Sequence, residues 1–392
     1  LDWGRGVWTY HNTWYWGNGN GLVDGKPFFG DDPNAVLKNL PAEVIDRIQV
    51  FDQRSDQSQF TGFDDGNSLK TLNIITKPQF RDGVFGRAFA GAGTEDRWKG
   101  GATVNLFNKN RRLTFLLNGN NINEQNFSTE DLLGVMSGSS NNNRPQGMRG
   151  GFGGRGGGRG RGGENFYNPA DNFLVDQRNG ISTTQSFGVN YANKWKTVDA
   201  SFSYFFNRSE NEAVSDLYRT YITAENSDLA YTETSNTNSI NLNHRFSSRV
   251  EWKLDSLNSF IIQPKFSLQH NEGDRVLLGS NISGSSITGF TDTQNGSDLD
   301  GINTSVSLLW RHSFQKRGRS LSLSMTPGFN NQKGNNYLLS LLDSYNDTLA
   351  ADKTDQVGRI DKQGLTLNTQ VNYTEPLSER SQLQVSYGGN YQ

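Results

Sequence analysis

No cysteine occurs in the 392 residues. Disulfide staples and cysteine-ligated metal centres are therefore excluded. No apolar run approaches the ~18 residues of a helical membrane span. Net charge is nearly absent: 38 Lys and Arg against 40 Asp and Glu leave −2, which argues against a wholesale electrostatic role at nucleic acid or a membrane surface. The N-terminus lacks a basic region followed by an apolar one, so no signal peptide is read there. The chain opens on Leu1, which reads as a mature or truncated product. Hydrophobic residues make up only 33%, while glycines number 44 and aromatics reach 11%. That mixture suits a sheet protein with one apolar face per strand and long polar connections.

Four zones follow one another. Residues 1–21 concentrate Trp3, Trp8, Trp14 and Trp16 with Tyr10 and Tyr15. Residues 22–78 carry the signals of a small α+β unit. Asp32-Pro33 is an N-cap and N1 pair ahead of Ala35, Val36, Leu37 and Leu40, and Pro41 opens a second short helical stretch. Arg47–Phe51 alternates as a strand, Gly62 and Gly66 punctuate a polar loop holding Asp64 and Asp65, and Leu69–Lys77 is a strand stopped by Pro78. From 79 to 392 the chain reads as strand after strand with period two. Phe202, Tyr204 and Phe206 alternate with polar neighbours, as do Leu321, Leu323 and Met325. A low-complexity RGG tract, 149–163, interrupts this zone.

The connections alternate between short and long. Short ones are expected at Asn108–Arg111, Lys194–Lys196, Arg249–Ser256, Lys316–Gly318 and Pro376–Ser378. Long ones are expected at about 124–182, 209–235, 273–300 and 334–362. This parity is that of an outer-membrane barrel, short turns on one side and long loops on the other, with strands of about 10–14 residues crossing at a tilt. Trp195 and Trp252 fall beside short turns and Trp98 near the opposite end, as in two aromatic girdles.

The stretch Leu22–Lys77 resembles the plug of a TonB-dependent outer-membrane receptor of the Bacteroidetes type. Val23-Asp24-Gly25-Lys26-Pro27 is similar to its opening strand and turn. Leu40-Pro41 with Ile45, Ile48 and Val50 is similar to its middle segment, and Leu72-Asn73-Ile74-Ile75-Thr76-Lys77 to its closing strand. Gln49, where the family favours Glu, and the phrase between Val50 and Leu69 depart from the pattern. The resemblance implies a mainly β fold: a small α+β plug, then part of a transmembrane antiparallel β-barrel with long outer loops. It also implies location in the cell outer membrane and ligand uptake driven by a TonB-type energy-coupling protein. Outer-membrane lipids and a companion surface lipoprotein are the further partners, and the ligand is unidentified. The family's barrels have about 22 strands against about half that number here, so a fragment is expected.

No enzymatic signature is present. His11, His244, His270 and His312 lack metal-ligand spacing, and no Gly-x-Ser-x-Gly or HExxH occurs. The stretch Gly21–Pro27 fails as a phosphate-binding loop. Asp292–Gly301 is oxygen-rich but misses the EF-hand order. No catalytic residue, cofactor or metal is expected. Candidate ligand contacts are Asp64 and Asp65 at a plug apex, Arg155 and Arg159 in the RGG tract, and Tyr218, Tyr221, Phe290 and Tyr337 in outer loops. Tyr231 and Tyr345 belong to the same aromatic set. Turn chemistry for the aspartates and packing among the aromatics are the plainer explanations. Two other functions fit the same sequence. One is a non-transporting barrel, an adhesin or surface-machine subunit. The other is an RGG nucleic-acid binder, weakened because only Phe152 of the tract can stack, so no nucleic acid is expected as a partner.

Overall fold

The computed structural model describes residues 19–29, 36–37, 40–124, 180–222, 229–344, 351–378 and 381–392. The protein is mainly β, with two sheets of unequal size. The smaller has four strands in the order β2-β1-β4-β3: β1 Gly19–Val23, β2 Lys26–Pro27, β3 Ile45–Arg54 and β4 Ser68–Thr76. β1 runs parallel to β4, and the Asp24-Gly25 turn, both residues at positive φ, folds β2 back on β1. The stretch read as a polar loop before β4 contains a helix, α1, Asp56–Thr61. Ser55 caps it by accepting from Ser58 N at 2.9 Å, and Gly62 ends it at φ 81°.

The larger sheet is an antiparallel meander of 11 strands, each beside its sequence neighbours. β5 Asp82–Ala92, β6 Trp98–Asn108, β7 Arg111–Asn120 and β8 Ile181–Lys194 have 10–14 residues, as expected. The next six do not. β9 Val198–Tyr221, β10 Leu229–Lys253, β11 Asn258–Ser283, β12 Ser286–Ser313, β13 Ser320–Ser344 and β14 Asp352–Ser378 have 24 to 28 residues. β15, Ser381–Tyr391, closes the order. The described residues of the segments 209–235, 273–300 and 334–362 are thus largely strand arms rather than loops, and β11 turns into β12 through Gly284-Ser285. Their Gly, Asn, Asp and Ser erase the apolar period that marks a strand in sequence. The backbone ladder needs no such period, and along the arms it pairs Leu229–Ser247 with Lys265–Ser283 and Gly289–Ser305 with Gly328–Ser344. The short-turn positions also match expectation, among them Lys109-Asn110 with Lys109 at φ 47°.

The polarity of the two faces is inverted relative to a soluble sheet. The concave face buries Asn105, Ser186, Asn190, Ser203, Asn207, Asn241, Asn271, Ser322 and Asn372. The convex face exposes Phe187, Phe202, Phe246, Phe266, Phe329, Leu365 and Val371. Each apolar stripe is short: Phe260 to Leu268 on β11 covers roughly 26 Å at about 3.3 Å per residue, and Leu321–Phe329 and Leu365–Tyr373 match it. Together the stripes make one belt, and the six long strands rise beyond it as a more polar wall, with Val276, Leu278, Tyr337 and Val357 exposed on its convex face. Trp195 and Trp252 stand exposed at the short-turn edge of the belt, with Trp98 at the other end of its strand.

The small sheet packs on the concave face. Val23, Phe28, Phe29, Val36, Leu40 and Ile74 form one core with Phe107 of β6 and Leu116 of β7, flanked by Phe205 of β9. Apolar side chains thus point inward where the small sheet lies against the wall.

Candidate functional site

Two polar attachments hold the small sheet to the wall. The first begins at Asp24 in the β1–β2 turn. Its carboxylate accepts from Thr76 N at 2.8 Å and Thr76 Oγ1 at 2.6 Å, and pairs with Arg112 of β7 at 2.8 Å. Arg112 also donates to Val23 O at 2.7 Å and lies over the Phe107 ring at 4.9 Å. A buried guanidinium needs such partners, because desolvation otherwise outweighs the pairing; the Arg112 Nε is buried with none. Beside it, Lys26 Nζ donates to Asn110 O at 2.7 Å, and Phe29 N donates to Asn190 Oδ1 at 3.1 Å. The Phe29 ring lies against Gly188 of β8, where a Cβ would stand 2.6 Å from a ring carbon.

The second attachment begins at Asp56, the first residue of α1. Both of its carboxylate oxygens accept from Arg249 of β10, at 2.5 and 2.7 Å, and Gln263 Nε2 adds a bond of 3.1 Å. Arg249 is 3.8 Å from Glu251, which pairs with Arg311 at 2.9 Å, and Arg311 lies over the Phe60 ring at 5.5 Å. The forked geometry of Arg249 with a carboxylate gives direction as well as attraction. Three strands, β10, β11 and β12, thereby grip one short helix.

The candidate ligand residues fall in separate places. Asp64 accepts from Gly66 N, and Asp65 from Asn67 N and Ser55 Oγ, at 3.0, 3.0 and 2.6 Å. Both serve the turn after α1. Ser55 adjoins Asp56, so this turn sits at the short-turn end of the wall and not at an apex beside the outer aromatics. Tyr218, Phe290 and Tyr337 lie on the long arms, not in loops, and face the convex side. Tyr218 pairs with Thr232, Phe290 with Asp343, and Tyr337 with Gly296. From Arg249 to Thr232 the strand runs roughly 56 Å, so the aspartates and these aromatics do not meet. Nor do the aromatics meet one another: Tyr218 and Phe290 are three strands apart, roughly 14 Å. Tyr337 lies against Gly296, where a Cβ would stand 2.3 Å from ring atoms. Tyr221 ends β9 and is 40% exposed. Arg155, Arg159 and Tyr345 lie outside the described residues.

The concave side of the long arms carries a cluster that sequence spacing did not gather. Tyr231 Oη donates to Glu233 Oε2 at 2.9 Å, and Arg275 reaches Glu233 Oε1 at 3.4 Å. Burial, then the bond to Glu233, pushes the Tyr231 hydroxyl up to about 12. Cross-strand register sets this group, since Thr237 opposes Arg275 and Tyr231 opposes Asn281.

Comparison with known proteins adds little at residue level. Residues 1–30 match a family model described as a domain of unknown function (DUF2804). No curated protein matches the chain. Among solved structures, the chain is similar to the ferric yersiniabactin uptake receptor FyuA of Yersinia pestis, with 9% identity over 94% of this chain and 54% of that one, TM-score 0.25. It is similar to the closed form of the ferric-catecholate import receptor Fiu of E. coli K12, with 9% identity, 95% and 57% coverage and TM-score 0.27. It is also similar to the siderophore receptor PiuA of Acinetobacter baumannii, with 10% identity, 94% and 56% coverage and TM-score 0.24. The chain spans about half the length of these structures. At such TM-scores the matches carry no argument, and the fold stands on the ladders and face polarity described above.

Proposed function

We propose that this chain forms a wall and the plug of an outer-membrane receptor that imports a ligand by TonB-type coupling. The carrying observation is the inverted polarity of the meander: polar side chains on the concave face, and a convex apolar belt of the height a bilayer requires. On this reading residues 22–78 are the plug, joined by residues 19–21 through β1, and 79–392 are the barrel wall. The short turns face the periplasm, and the long arms stand outside the cell. The Bacteroidetes-type subgroup rests on the plug phrases Val23–Pro27 and Leu72–Lys77 alone. The outer membrane has no energy source of its own, so a plug held by Asp24–Arg112 and Asp56–Arg249 needs an external pull to move. A TonB-type protein supplies that pull, with a surface lipoprotein as companion at the outer arms. Ligand contact falls to the concave Tyr231, Glu233 and Arg275, with the RGG tract, Arg155 and Arg159 included, as a basic outer segment.

Single cysteines test this cleanly, because the chain has none. In intact cells a membrane-impermeant thiol reagent labels Ser285→Cys and leaves Asn110→Cys and Gly318→Cys unlabelled. The reverse pattern rejects the membrane reading. Transport is read at Ser58→Cys, a position 1% exposed in α1. Labelling that rises only when the coupling protein is present supports import, and equal labelling in its absence supports a non-transporting barrel.

A further inference from the structure

On the convex face, one row beyond the belt, β11 and β12 bring together three metal-ligating side chains. His270 of β11 is the direct partner of Asp300 of β12, one pair beyond the belt residues Leu268 and Ile302. Asp298 points from the same face one diagonal step away, as side chains two apart on a strand must. His270 Nδ1 stands 2.9 Å from Asp300 Oδ1 and 3.7 Å from Asp298 Oδ1. One ligand atom from each residue lies within 4.8 Å of the others. Ligands held about 2.1 Å from a first-row metal ion stand roughly 3.0–3.5 Å from one another in octahedral or tetrahedral arrangement. The two His270 separations bracket that range, and the two carboxylates stand within 4.8 Å of one another.

The surroundings favour a cation. Glu272 opposes Asp298 and Asp274 follows it on the same face, adding negative charge. The cation opposite Asp300, Lys333, is engaged with Asp361 at 3.9 Å. An imidazole with two carboxylates selects borderline divalent ions over hard ones.

We propose that His270, Asp298 and Asp300 form a binding site for a first-row divalent cation of the zinc type on the outer rim of the belt. The imidazole gives up its hydrogen bond to Asp300 and offers a ring nitrogen to the ion, and binding displaces any proton held there. Each carboxylate supplies one oxygen. Solvent oxygen donors complete the shell, because the aspartate side chains are 63% and 71% exposed. Paired strands fix all three ligands, which makes the site more rigid than one on a loop. It uses no residue of the plug attachments and stands whether or not the chain transports.

Equilibrium dialysis of Zn²⁺ against the full chain in detergent tests the site. One ion binds per chain. Since outer-shell changes alone cost about 10–100-fold in metal affinity, loss of a ligand costs at least that. His270→Ala should therefore weaken binding by about 100-fold, and Asp298→Asn and Asp300→Asn by about tenfold or more. His312→Ala, on the same sheet, controls for chance binding by imidazole and leaves the affinity unchanged. All three sites are at the surface, and a far-ultraviolet spectrum confirms the sheet in each variant. Absence of stoichiometric binding overturns the proposal. So does unchanged affinity in His270→Ala, in both aspartate variants, or an equal loss in His312→Ala.

Discussion

At the scale of single residues, the polar groups that matter are those with several donors on one acceptor. Glu375, at the short-turn end of β14 beyond the belt, accepts from Arg319 Nε at 2.6 Å and Nη2 at 2.9 Å, from Lys316 at 2.6 Å and from Tyr373 Oη at 2.7 Å. Arg319 first, then Lys316 and Tyr373, hold its carboxyl well below the ordinary carboxylate range. A carboxyl with a depressed folded value stabilises the fold above its unfolded value, about 4.3, and that contribution fades as pH falls below it. Glu375→Gln should therefore lower the urea midpoint by a constant amount from pH 5 to 8, with the gap to wild type narrowing below about pH 4. A gap that persists unchanged into acid would show that the charge is not what Arg319 and Lys316 recognise. The sequence places a short turn at Lys316–Gly318 and another at Pro376–Ser378. That the two turns are neighbours, and so bring these charges together, follows only from β13 pairing with β14.

At the scale of elements, one glycine makes room for the small sheet against the wall. Gly188 leaves room for Phe29, which carries the apolar contact between β8 and the residues after β2. Gly188→Val would place side-chain atoms where the Phe29 ring lies, and overpacking of this kind costs typically ~1–3 kcal/mol. The expected outcome is faster proteolytic cleavage within residues 22–78 while the strands of the wall remain protected. Unchanged cleavage would place the hold of the small sheet elsewhere, on Arg112 and Arg249. Short elements were legible where local chemistry speaks: the Asp24-Gly25 turn, β4 ending before Pro78, and the turn at Lys109-Asn110. α1 was not, because six residues give too little period to recognise, and its Ser55 cap and Gly62 stop also suit a loop. The long arms were not legible either. Their two faces are both wet, so alternation vanishes while hydrogen bonding continues.

At the scale of the whole molecule, the belt decides which solvent the protein faces. Val371 lies within the β14 stripe, one outward position in from its Tyr373 end, and is 39% exposed. In water an exposed Val→Arg change alters stability by at most about 0.5 kcal/mol. On a lipid-facing strand it costs up to ~2–4 kcal/mol, the full amount at the bilayer midplane. Urea unfolding in lipid vesicles should therefore show Val371→Arg strongly destabilised. A near-silent substitution there would mean that the convex face meets water.

The sequence by itself determined the β class, the strand count and the alternation of faces, because period-two patterning and turn residues are local. It also carries, between Leu22 and Lys77, the phrases that resemble a receptor plug. Only the tertiary structure decided which face is buried, how far the strands run, and which charged groups meet. Asp56 meets Arg249, and His270 meets Asp300, through strand register across residues far apart in the chain. Register is a property of paired backbones, and no single strand carries it.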